Sequence, residues 1–195
     1  FANNDKEHIK NSPQLEVFND KKIPVLFMTD AVDEFWLQNI NKYKEFDFKS
    51  ITKGKIDTKD IGNDNKNKKV NNIKKDNKIN NLINVLKNEL KDKISDVIIS
   101  ERLTKSPVLL LADEVGMDIN MEKIMKMHNQ KTPDSKKILE INANHPMIIK
   151  VSKNIKEIDH KKIASLLLDQ ANILDGNILS NPSGYIENLT ELFIK

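Results

Sequence analysis

Histidines, a few serines and one acidic pair are the side chains here that could do chemistry, and spacing decides whether they can. His8, His128, His145 and His160 could ligate a metal or carry a proton. They are scattered, with no HxxxH or HxxE pattern to bring two ligands onto one helix face, so ordinary surface or hydrogen-bonded histidines explain them better. Ser106 and Ser183 lack the glycine on either side that a nucleophile elbow needs. Asp113-Glu114 follow an apolar run and could act as an acid–base pair, but an acidic helix cap accounts for them more simply. The five glycines (54, 62, 116, 176 and 184) have neither phosphate-loop nor dinucleotide spacing. Cysteine is absent, which excludes disulfides, thiolate metal sites and cysteine nucleophiles. The chain shows no catalytic, cofactor or metal site and does not read as an enzyme.

Two stretches have the makings of binding surfaces instead. Met117, Met121, Ile124 and Met125 fall at i, i+4, i+7 and i+8, one face of a helix. Methionine is flexible and polarizable, so such a face can adapt to many apolar shapes, as a non-selective binding surface requires. A plain core stripe is the competing reading. Residues 158–174 and 182–194 each carry an apolar stripe and together predict a helical hairpin. Pairing two hairpins about a two-fold axis gives a four-helix bundle, hence a homodimer through Leu166, Leu167, Ile173, Tyr185, Leu189 and Leu192. The alternative is that both stripes pack on the chain's own sheet, and some of these residues are expected to face the core.

The elements that would position these faces follow from periodicity. Ser12-Pro13 opens a short helix over 12–22, and Ile23–Met28 is a continuous apolar run typical of a strand buried on both faces. A helix start at Thr29-Asp30 precedes Val32, Phe35, Trp36, Ile40 and Tyr43 at helical spacing. Residues 44–57 then read as an extended exit. Ile79, Leu82, Ile83, Leu86 and Leu90 mark a helix, while 97–99, 108–111 and 138–141 are β-type runs. Helices follow at 148–155, 163–174 and from Pro182 onward. Between about 58 and 70 the chain is Asn/Lys/Asp-rich and reads as a linker that lets its flanking units adopt more than one angle. The division is a small α/β unit over 1–57, a linker over 58–70 and an α+β unit over 71–195.

Composition narrows the partners. With 195 residues, 38% hydrophobic and 31% charged, the chain is polar for a globular protein but can bury a core. Net charge is +3, and Arg102 is the one arginine among 32 cations. Nucleic-acid sites favour arginine and aromatics, and the Lys-dense stretch 59–81 has neither, so a nucleic-acid adaptor is disfavoured. No apolar run approaches the ~20 residues of a membrane helix, nor does the N-terminus have a signal-peptide layout. The expectation is a cytoplasmic protein with no membrane partner. Its start, Phe1-Ala2-Asn3-Asn4, has no initiator Met and reads as entry into a unit already in progress.

Val25–Glu34, Arg102–Pro107, Asn129–Pro146 and Leu168–Ala171 with Tyr185–Leu189 are four collinear stretches that resemble the heat-shock protein 90 chaperone family, bacterial type. Val25–Glu34 (VLFMTDAVDE) is similar to the strand–helix signature near the end of that family's middle domain. Arg102–Pro107 (RLTKSP), with the strand to Asp113-Glu114, resembles the start of its C-terminal sheet. Asn129–Lys136 through Ile138–Pro146 is similar to the bacterial branch, and Leu168–Ala171 with Tyr185–Leu189 resembles its final helix pair. The resemblance implies an ATP-dependent dimeric chaperone, of which this chain holds the tail of an α/β/α middle domain and a C-terminal dimerization domain. That domain would have a three-stranded sheet, surrounding helices and a C-terminal hairpin, an α+β arrangement overall. ATP and Mg would belong to an N-terminal domain, so no cofactor is expected within these residues. The helix carrying Met117, Met121, Ile124 and Met125 would face the dimer cleft and contribute to client contact, and the ending Phe193-Ile194-Lys195, without an acidic tail, fits a bacterial member. The alternative from another class is an α/β enzyme domain completed by a missing segment.

Overall fold

A computed structural model describes residues 6–30, 32–33, 40, 42–54, 76–113, 119–127 and 136–194. The first unit begins with helix α1 (Lys6–Lys10), a 3-10 turn at Pro13–Leu15 and helix α2 (Glu16–Asp20). Ser12 caps the turn by accepting a hydrogen bond from the Gln14 N–H, and Pro13 presets the first-turn φ. Ile9, Leu15, Val17, Phe18 and Ile51 form a small core of their own.

Two expectations for this unit are corrected. Within the run Ile23–Met28 a β-bridge forms at Met28 alone, and Leu26 is 65% exposed with Phe27 also at the surface. A strand buried on both faces needs paired neighbours and a layer on each side. Among the described residues of this unit, the hairpin of β1 (Lys42–Tyr43) and β2 (Phe46–Asp47) pairs with itself, and Lys53 bridges to Ala112. Tyr43, expected on a helix, lies in that hairpin and is exposed. Lys44, in the left-handed region at φ 54°, turns the chain there, and that conformation cannot continue a right-handed helix. Most of the expected helix (34–39) and the linker at 58–70 lie outside the described residues.

The second unit is α+β, as expected. Asp76 caps helix α3 (Asn77–Leu90), its carboxylate accepting from the Lys78 N–H, and Ile79, Leu82, Leu86 and Leu90 are buried at the predicted spacing. Strands β3 (Ile94–Ile99), β4 (Val108–Leu111) and β5 (Lys137–Ile141) form a sheet in the order β3-β5-β4. Strand β5 runs parallel to β3 and antiparallel to β4, with Leu110 opposite Leu139. All four residues of β4 are buried because both faces are covered. Val108 and Leu110 join the large core with α3, while Leu109 and Leu111 join a second cluster with Leu103 and Ile138. Helix α4 (Ile119–Met127) precedes β5, and α5 (Pro146–Lys153), α6 (His160–Leu174) and α7 (Pro182–Ile194) follow it.

The caps of these last helices are local and legible. His145 accepts the Met147 N–H at Nδ1, Asp159 accepts the Lys162 N–H, and Asn181 accepts the Gly184 N–H. A Cβ at Gly184 would meet only the far end of the exposed Asn181 side chain, so the cap amide would have to turn aside. Helix α6 ends at Gly176, whose φ of 78° is left-handed.

Candidate functional site

The chain's last two helices fold back on one another, as the sequence predicts. Lys162 Nζ reaches Glu191 Oε2 at 2.6 Å and ties the start of α6 to the end of α7. That hydrogen bond, more than the neighbouring carboxylates, raises the lysine's pKa. The inner side of the hairpin belongs to the chain's own fold: Leu167 sits in the main core, and Leu166 is buried as well. Its outer side does not. Ile173 is 45% exposed, Ile186 57% and Leu192 49%, with Ile178 and Ile194 also at the surface, while Tyr185 and Leu189 are half-buried. Four of the six residues predicted for an interface therefore lie at or near the surface, and two lie beneath them. Gln170, between Leu166 and Ile173 on α6, has a buried Oε1 with no hydrogen-bond partner among the described residues.

The methionine face is only partly described. Met117 lies outside the described residues. Met121 is 8% exposed, and Ile124 and Met125 are half-buried, so the helix presents its later turn more than its first.

A polar cluster buried where the two units meet was not expected. Arg102 is fully buried, and its Nε lies 3.2 Å from Glu140 Oε2. Its Nη1 donates to the Ile51 carbonyl at 2.5 Å and to Gln14 Oε1 at 3.4 Å, and its Nη2 donates to the Gly54 carbonyl at 2.7 Å. Ser100 Oγ donates to Glu140 Oε2 at 2.6 Å. Burial lowers the arginine pKa against the opposing pull of Glu140, and burial raises the Glu140 carboxyl despite Arg102 and Ser100. The signal was a single arginine in a lysine-rich chain. A five-donor planar fork is needed where several fixed carbonyls must be met at once, and lysine cannot supply it.

Among the described residues no three His, Asp or Glu side chains gather so as to hold a metal ion, and no helix is long and apolar enough to cross a membrane. A cleft of about 270 Å³ lies beside Lys93, Lys137, Asp169 and Asn172. Lys137 there already faces Glu122 and Asp175 at 3.8 and 3.9 Å.

Known proteins match the chain from end to end. It is 39% identical over 195 residues to the chaperone protein HtpG of Roseobacter denitrificans, which covers 97% of this chain and 31% of that protein. It is 37% identical to the HtpG of Ruthia magnifica over 95% of the chain and 29% of the relative, and 37% identical to that of Coxiella burnetii over the same shares. The chain thus spans about three tenths of the length of the curated relatives it matches. The family model described as "Hsp90 protein" matches residues 1–195, and the chain belongs to that family.

Proposed function

We propose that this chain is the dimerization and client-contact portion of an ATP-dependent chaperone of the HtpG type. Residues 1–57 would close its middle domain, 58–70 would link, and 71–195 would form the C-terminal dimerization domain. The observation that carries the reading is the outer face of the α6–α7 hairpin. Ile173, Ile186 and Leu192 leave apolar area in water at the end of a well-packed domain. A self-complementary face of this kind suits a second copy of the chain. Tyr185 and Leu189 would complete the contact, with Leu166 and Leu167 supporting it from beneath.

Client contact would fall to Met117, Met121, Ile124 and Met125. The half-buried Ile124 and Met125 are offered directly, whereas Met121 needs a shift of the helix before a client can reach it. ATP and Mg would be bound elsewhere in the full-length protein, in the cytoplasm. No feature of the described residues favours an enzyme domain instead.

Light scattering tests the reading. The parent chain should have the mass of a dimer at micromolar concentration, and Leu189→Asp with Leu192→Asp should reduce it to a folded monomer. A dimer that survives both substitutions would show that the interface lies elsewhere.

A further inference from the structure

The apolar clusters are three: one drawn from residues 9–51, and two on the opposite faces of the C-terminal sheet, the smaller of which includes Leu103. The first of these clusters and the sheet are joined by hydrogen bonds from one loop, residues 100–107, which works in two directions. Inward, the Arg102 fork holds the carbonyls of Ile51 and Gly54. Those carbonyls flank Thr52 and Lys53, so the fork presents this segment to the end of β4. There Gly54 N–H donates to the Ala112 carbonyl and Ala112 N–H to the Thr52 carbonyl. Outward, the N–H groups of Thr104, Lys105 and Ser106 converge on the Glu16 carboxylate at 2.6, 2.7 and 3.0 Å. Three successive backbone donors on one carboxylate form an anion nest with charge-assisted bonds.

The loop is itself fixed to its own sheet. Ser100 Oγ accepts the N–H groups of Arg102 and Leu103. Asn142 donates its backbone N–H to the Pro107 carbonyl and its side-chain amide to the Ser106 carbonyl. Directional bonds made from a fixed loop set an orientation, which a sliding apolar contact does not. Polar contacts between units also separate at less cost than a shared apolar core. We infer that loop 100–107 is a latch that sets the orientation of residues 6–54 on the C-terminal sheet, with Arg102 and Glu16 as its two positioning residues.

The lack of cysteine makes the test direct. Asn19 and Asn88, exposed on opposite units, become cysteines carrying spin labels, and the doubly labelled chain is diluted into unlabelled chain. Pulsed electron resonance should give one narrow distance distribution. Glu16→Ala, which frees a half-buried carboxylate site without touching a core, should at least double its width. Arg102→Lys should do the same and speed amide exchange at Gly54 and Ala112 at least tenfold, with Ile94–Ile99 and Lys137–Ile141 unchanged. An unaltered width in Glu16→Ala overturns the latch, whether or not Arg102→Lys folds. Faster exchange in all three clusters of Glu16→Ala also overturns it, because the residue would then be serving general stability.

Discussion

Arginine 102 and its surroundings show how far one side chain can be from its neighbours in consequence. The chain meets every other cationic need with lysine. At this position four acceptors stand at fixed places around one buried cation, and only a planar fork reaches them together. Burying such a pair gains little net stability, and its worth lies in the geometry it imposes. For Glu140, burial outweighs the attraction of Arg102, so its folded pKa stands above the ordinary 4.5. A carboxyl raised in this way contributes stability that is fully present below its unfolded pKa and fades as pH rises through the folded value. Thermal melts of the parent and Glu140→Gln should therefore differ most below about pH 4.5 and less towards neutrality. A parent advantage that widens with pH would mean that the charge pair wins over burial. Gln170 gives the opposite kind of test. Its orphaned acceptor should make Gln170→Leu neutral or stabilising in the melting temperature, whereas a loss above about 1 kcal/mol would reveal a partner.

Element by element, the same kind of sequence run met different fates. Val108–Leu111 and Ile23–Met28 are both short, continuous and apolar. The first is paired to β5 and covered on both faces, whereas the second bridges at Met28 alone and keeps Leu26 in water. Helix ends behaved more simply, because a cap is a contact between residues two or three apart. Asp159→Ala should cost about 1 kcal/mol by removing the acceptor for Lys162 N–H, readable as a lower urea midpoint with an unchanged slope. For α4 the burial of Met121 divides the methionine face. Met121→Asn should lower the melting temperature, as polar substitution in a core does. Met125→Asn should leave it nearly unchanged while weakening suppression of client aggregation. A large loss of stability in Met125→Asn would make the whole face a core stripe.

At the scale of the molecule, the apolar hairpin face and the polar junction are different kinds of surface. The first loses water only by association, so its energetics depend on protein concentration. If α6 and α7 pair across a two-fold axis, the melting temperature should rise with each tenfold increase in chain concentration. The Leu189→Asp, Leu192→Asp variant should melt at a temperature independent of concentration. A parent whose melting point is equally indifferent would leave the exposed isoleucines without that role. The junction at loop 100–107 lies within one chain, and its behaviour should not depend on concentration at all.

Local rules carried much of the architecture. The buried face of α3, the three strands of the sheet, the caps at Ser12 and Asp159 and the stop at Gly176 all follow from spacings of four residues or fewer. Family membership was equally legible, since four motifs in order need no structure to be recognised. Strand order, the fate of Ile23–Met28 and the division of the hairpin into a core side and a water side depend on what lies opposite each element. Loop 100–107 depends on this most. Glu16 and Thr104, or Ile51 and Arg102, are tens of residues apart, and nothing in either stretch names the other. Hydrogen bonds between distant segments carry no periodic signature, so only the folded chain brings the donors to their acceptors.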